Sequence, residues 1–185
     1  MTKKQIFIVL IFIFLIVSCE KEKKTIGKKI EGDFNGDDKT ETATITKVKS
    51  KLFNNQELIE YHIVFSDSTV KPITLECPFK KMQLINEGDL NNDNADDISI
   101  SYELSPDTPI SQMNTRSFNN FEWTDIIEVF SINVGSDTLS GETLQNIVTK
   151  KNMSIIYNTY GKNFEFDENL KPINCKKTRK EIKLK

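Results

Sequence analysis

The chain has 185 residues, with 25 Lys or Arg against 27 Asp or Glu, for a formal charge of −2 at pH 7. That mild acidity gives no electrostatic reason to seek nucleic acid. The length suits one domain, or two small ones.

Residues 1–18 read as an address label. Lys3 and Lys4 make a positive start, and Ile6 to Val17 is an unbroken apolar run. A run of that length is too short to span a bilayer but suits the core of a signal peptide. It leads into Ile16-Val17-Ser18-Cys19, which resembles the lipobox of bacterial lipoproteins. The resemblance implies cleavage before Cys19, leaving it as the new N-terminus with lipid on its sulfur and amine. Several acyl chains on one residue anchor a protein stably where one would not. The plainer alternative is an ordinary secretory signal followed by a chance Cys. Removal of Lys3 and Lys4 takes the formal charge from −2 to −4. Residues 19–29 are polar and charged and read as a solvated tether. Residue 20 is Glu rather than Asp, so the commonest inner-membrane retention signal of lipoproteins is absent. The expected address is therefore the outer membrane of the cell envelope, facing either the periplasm or the outside.

From residue 30 to 185 the expected fold is a single, mainly β domain of antiparallel sheets, a β-sandwich or an incomplete propeller-like array. Alternation of β-branched residues predicts strands at 42–48, 58–65, 69–75, 98–102, 123–134, 153–157, 163–166 and 180–185. Ser66-Asp67-Ser68 predicts a hairpin turn between the second and third of these. Residues 143–148 are the one helical expectation, because Leu144, Ile147 and Val148 share a helical face. Residues 103–122, with Pro106 and Pro109, read as a long irregular surface excursion. The basic C-terminus reads as an edge strand guarded by lysines, with contact to anionic headgroups as the alternative. Once Cys19 carries lipid, Cys77 and Cys175 remain. They either pair, stabilising by about 4–5 kcal/mol in the chain-entropy model, or stand as two separate buried thiols.

Two stretches share one pattern: Gly32-Asp-Phe-Asn-Gly-Asp-Asp-Lys-Thr-Glu41 and Gly88-Asp-Leu-Asn-Asn-Asp-Asn-Ala-Asp-Asp97. Counted from the first Asp, loop positions 1, 3, 5, 7 and 9 hold Asp33, Asn35, Asp37, Lys39 and Glu41. In the second copy they hold Asp89, Asn91, Asp93, Ala95 and Asp97. Calcium takes six to eight oxygens from carboxylates, amides, backbone carbonyls and water. A tight loop with acceptors at every second residue aims them at one centre. Position 7 needs only its carbonyl, so Lys39 and Ala95 suit it. Position 6, Asp38 or Asn94, is a residue type that tolerates a left-handed turn. Each loop gathers three formal negative charges, which repel one another without a cation. Solvated, metal-free Asp/Asn turns are the bland alternative.

An EF-hand would need a bidentate Glu at position 12, where this chain has Thr44 and Ile100. Predicted strands follow both loops instead of helices. A nine-residue calcium loop running into a strand resembles the FG-GAP and VCBS repeats of integrin-like propellers and many secreted bacterial proteins. The resemblance covers the two loops and the strands after them. It implies calcium at one or both, with dissociation constants of about 10⁻⁴ to 10⁻³ M, as in extracellular modules. The chain is too short, at this repeat spacing, for a closed propeller of four or more blades.

No catalytic pattern stands out. The one His, His62, sits in a strand pattern, and no nucleophile elbow, zinc cluster or phosphate loop appears. Trp123, Phe118 and Phe121 form either an aromatic platform or core packing. The expectation is a non-catalytic, membrane-anchored lipoprotein with a calcium-stabilised β-domain that binds a protein or a glycan. The alternative is a small envelope hydrolase or inhibitor-like lipoprotein with its site in 103–122.

Overall fold

The computed structural model describes residues 23–53, 56–77, 81–103, 110–133, 144–160, 165–168, 172–173 and 176–184. The expected signal segment, Cys19 and Cys175 lie outside these residues, as does the side chain of Cys77.

The fold is mainly β, built of antiparallel sheets as expected. One sheet has four strands in the order β2 (Lys29–Gly32), β3 (Glu41–Phe53), β4 (Gln56–Phe65) and β5 (Ile73–Cys77). The larger sheet has eight. Its path runs from β1 (Ile26–Gly27) through β6 (Met82–Gly88), β7 (Asp97–Glu103), β8 (Ile110–Asn119) and β9 (Glu122–Asn133). It then passes to β11 (Ser154–Tyr160) and β10 (Val148–Lys151), while β14 (Lys177–Lys183) adds to β11. β12 (Glu165–Phe166) and β13 (Pro172–Ile173) form a separate ribbon.

The small sheet covers part of the large one. Strand alternation sends Ile59, Tyr61 and Ile63 of β4 inward. They meet Met82 and Leu84 of β6, Ile98 and Ile100 of β7, and Phe118 of β8 in one core. A second core lies on the opposite face of the large sheet, which curls. It gathers Ile85, Met113, Ile127, Phe130, Ile132, Val148 and Ile155. β6 and β7 therefore bury both faces.

Several expectations needed revising. The tether over 19–29 gives way to folded structure earlier than expected. The Lys24 backbone amide donates to Gln145 at 2.9 Å, its ammonium pairs with Glu87, and Ile26–Gly27 pair with Leu84 and Ile85. The third expected strand starts at Ile73 rather than Thr69. Asp67 takes the amide of Thr69 on its side chain and that of Val70 on its carbonyl, which curls 66–70 into a turn. The expected helix over 143–148 is a single turn at Leu144 that runs into β10. Leu144 and Val148 share the second core, so their spacing reflects a turn and a strand start, not a helical face. The expected excursion over 103–122 is β8, joined to β9 by Asn120-Phe121; residues 104–109 lie outside the described set. Bulges near Met113–Arg116 break the alternation, and buried Ser111, Asn114, Thr115 and Ser117 disguise the strand as polar loop.

β14 pairs only with β11. Ile182 and Leu184 pack on the second core, while Lys177, Arg179, Lys180 and Lys183 are exposed. This is the lysine-guarded edge strand read from the sequence.

Candidate metal centre

Each acidic loop is the tip of a β-hairpin. Loop 1 joins β2 to β3 and closes on the pair Gly32–Glu41; loop 2 joins β6 to β7 and closes on Gly88–Asp97. The sequence shows the strand that follows each loop but hides the one that precedes it.

The loops match bond for bond. Position 2 is buried in both, as Phe34 and Leu90. Its amide donates to the position-9 carboxylate, Phe34 to Glu41 Oε2 and Leu90 to Asp97 Oδ2, each at 2.8 Å. Asp33 takes the amides of Gly36, Asp37 and Asp38. Asp89 takes those of Asn92, Asp93 and Asn94. The position-3 amide oxygen accepts from position 5, and the position-5 carboxylate from position 7, in both copies. Positions 4 and 6 are left-handed, with φ of +73° and +63° at Gly36 and Asp38, and +67° and +68° at Asn92 and Asn94. Gly, Asn and Asp tolerate that region best. The spacing of the acidic ligands does not by itself mark position 4, which Gly36 and Asn92 occupy.

The carboxylates are not equally gathered. Ligand oxygens of Asp33, Asp37 and Glu41 all lie within 4.8 Å of one another, and among the described residues no other acidic triad converges so closely. Lys39 folds back onto this group, its ammonium 2.8 Å from Asp37 Oδ2. Asp37 and its neighbours hold Lys39 above its ordinary pKa. Burial pushes the Glu41 pKa up, and Asp33 and Asp37 add to the push against the Phe34 amide.

In loop 2, Asp93 Oδ2 turns to Ser117 Oγ and Asn91 Nδ2, each at 2.9 Å. Asp97 is fully buried, and its Oδ1 has no hydrogen-bond partner. Burial lifts its pKa to about 7, with Asp93 and Asp89 adding repulsion, against the Leu90 amide and Ser117. A buried carboxylate oxygen without a donor is costly. A cation there would meet that oxygen, and the side-chain and carbonyl donors of the loop are all oxygen, the kind calcium prefers. Ten residues were expected at the two loops: Asp33, Asn35, Asp37, Lys39, Glu41, Asp89, Asn91, Asp93, Ala95 and Asp97. The structure brings them into two matched loops. Lys39 contributes its side chain as a competing cation, and only its carbonyl is suited to ligation.

The loops also touch each other. The Asp96 amide donates to the Asp33 carbonyl at 2.6 Å, and the Asp33 amide donates to Asp96 Oδ2 at 3.0 Å. Asn86 Nδ2 bridges Asp96 Oδ2 at 2.8 Å and the Glu31 carbonyl at 2.9 Å. A Cβ on Gly32 would fall 2.4 Å from Asn86 Nδ2 and 2.6 Å from Asp96 Oδ2, so a side chain there forces this contact apart. Nothing in the spacing of the repeats announces Asp96 or Asn86 as partners.

Beside the loops lies a groove of about 420 Å³, lined by Asn35, Asp37, Thr69, Asp93, Phe118 and the β8–β9 turn, among others. Trp123 and Phe118 are packing residues. Trp123 stacks on Phe65 at 5.3 Å, meets Phe118 at 5.1 Å and donates its indole N–H to the Lys71 carbonyl. Phe121 stands apart on the groove rim, 75% exposed at φ +63°. His62 contacts Glu60 at 3.1 Å, and Glu60 also holds Lys49.

No family model, curated protein or solved structure matches the chain.

Proposed function

We propose that the chain is a non-catalytic lipoprotein of the cell envelope, anchored through Cys19, whose two loops bind calcium and stiffen a β-domain that contacts a glycan or protein. The observation that carries the calcium reading is the matched pair of loops, one of which buries Asp97 Oδ1 without a donor. Asp33, Asn35, Asp37, the Lys39 carbonyl and Glu41 would hold one ion. Asp89, Asn91, Asp93, the Ala95 carbonyl and Asp97 would hold the other. A bound ion would supply positive charge against the three carboxylates that each loop carries, and these residues would then hold each hairpin tip closed. The similarity to FG-GAP and VCBS loops supports the same reading.

The groove beside the loops is the contact surface we favour. Phe121 offers an apolar ring face, and Asn35, Thr69, Asn119 and Asn120 offer hydrogen-bonding groups around it. That combination suits the apolar face and hydroxyl edge of a sugar ring better than a wholly apolar peptide. A bulky residue at positive φ is strained, and the strain falls at the point most accessible to a ligand.

Thermal melts of the full chain in detergent, in excess chelator and in 1 mM calcium, test the central claim. With a dissociation constant of about 0.1 mM, linkage gives about 1.4 kcal/mol per site and an upward shift of several degrees. Identical melts in the two buffers would remove the calcium role. Fractionation tests the anchor: Cys19→Ala is expected in the soluble fraction, and its retention with membranes would count against lipidation.

A further inference from the structure

We infer that the two loops are one composite two-ion site, in which calcium at either loop raises the affinity of the other. The inference rests on the calcium reading and adds to it a pathway of coupling. Asp33 is the first ligand of loop 1. Both polar groups of its backbone are held by Asp96, the amide on the carboxylate and the carbonyl on the amide. Asp96 immediately precedes Asp97, the last ligand of loop 2 and the one with a buried oxygen lacking a donor. Asn86, two residues before Gly88, fastens the same carboxylate and takes the Gly88 amide on its Oδ1 at 2.7 Å. A single clamp therefore fixes the backbone of the first loop's opening ligand and both ends of the second loop.

An ion orders the loop that holds it. Ordering Asp33 orders Asp96 through two hydrogen bonds, and with it the chain that aims Asp97. The second ion then meets a loop already partly ordered, which is positive coupling, and by linkage the effect is equal in both directions. Charge acts the other way, because the first cation reduces the negative field felt by the second. However, a loop with three carboxylates keeps a formal charge of −1 after taking one calcium. The second ion is still attracted, and that attraction is screened by salt at these partly exposed groups. The clamp bonds are direct and the charge effect is diluted by solvent.

Gly32 shows that the contact depends on close approach. A methyl group there would collide with both Asn86 and Asp96. Gly88, the matching residue of loop 2, has open space around its Cβ position. The clamp is thus a feature of the junction and not of the repeat itself.

Calorimetric titration of the full chain in detergent, with calcium chloride as the probe, tests this. Asp93→Ala isolates loop 1 and Asp37→Ala isolates loop 2. For independent loops, the overall two-ion constant of the wild type equals the product of the two single-site constants. The composite site predicts an excess of about fivefold or more over that product. The excess should vanish in Asp96→Ala and in Gly32→Ala. It should persist in Asp96→Asn, which keeps an acceptor oxygen. A wild type that takes two ions with no excess overturns the coupling and leaves the calcium reading standing. A wild type that takes none overturns both.

Discussion

Loops 1 and 2 have matching left-handed positions, the same turn bonds and a buried apolar residue at position 2, yet they store negative charge differently. Loop 1 lies open. Its three carboxylates converge, and the exposed Lys39 ammonium pairs with Asp37 at 2.8 Å. Loop 2 is half sunk between the sheets. Ser117 of β8 draws Asp93 aside, and Asp97 sits fully buried with one oxygen lacking a donor. The same acidic spacing therefore yields a converging cluster with two of its carboxylates reaching solvent in one place, and in the other a buried carboxylate with an oxygen that no donor meets. The difference comes from what packs around each loop: the edge of a four-stranded sheet in one case, the middle of an eight-stranded sheet in the other. The pattern in the sequence specifies the loop; tertiary contact decides how its charge is met.

The largest effects should come from the buried anchors that fasten the loops. Phe34→Ala removes a fully buried ring from the first core and should cost about 3–5 kcal/mol. Leu90→Ala should cost about 2–5 kcal/mol at the second core. Urea melts in chelator read both directly. If either loss fell below 1 kcal/mol, its loop would not be fastened to the core in the way described.

Next comes pH, where only loop 2 should respond strongly. Asp97 titrates near 7 when folded and near its ordinary value of 3.8 when unfolded. Between those values the folded state binds the extra proton, so stability falls as pH rises. In chelator, stability should be full near pH 4 and lower above pH 7, by on the order of 4 kcal/mol. Asp97→Asn should flatten that slope, because the amide needs no proton. An unchanged slope in the variant would assign the pH effect to another group.

Removal of metal separates the loops more finely. Asp89→Ala with Asp93→Ala should abolish the calcium-induced gain at loop 2, about 1.4 kcal/mol for a 0.1 mM site at 1 mM calcium. In chelator the same pair loses only the turn bonds that Asp89 and Asp93 accept, so the loss should be larger in calcium than in chelator. Equal destabilisation in both buffers would make these side chains structural rather than metal-binding. Of similar size is the glycine contrast. Gly88→Ala meets no atom but sits at φ +68°, and should cost about 1–2 kcal/mol through that backbone alone. Gly32→Ala should cost more, since it must part Asn86 from Asp96.

Much of this was legible before any fold was known. The alternation of Leu58 to Phe65 marks β4, which keeps period two over a buried face, and the β-branched and aromatic run from Trp123 marks β9, although bulges opposite it shift its buried positions. The repeated Asp-x-Asn-x-Asp marks both loops, because ligand spacing and turn chemistry are local. β6 and β8 were less legible. Met82–Gly88 buries both faces, so its apolar residues do not alternate, and β8 carries bulges and buried hydroxyls. The junction was not legible at all. Asp96 looks like one more acid in an acidic loop, and its role exists only because β2 and β6 lie side by side.

The smallest change sharpens the comparison most. Position 7 is Lys39 in loop 1 and Ala95 in loop 2, and ligation there asks only for a carbonyl. Lys39→Ala makes loop 1 match loop 2 at that position without touching a carboxylate. The exposed Lys39–Asp37 pair contributes little to stability, as surface pairs do, so the melt in chelator should hardly move. Calcium affinity at loop 1 should rise, because the ammonium no longer competes for Asp37 Oδ2. Titration of Lys39→Ala in the Asp93→Ala background isolates loop 1 and reads that change directly. A fall in affinity would mean that the lysine helps to shape the site, and that the two position-7 residues are not interchangeable.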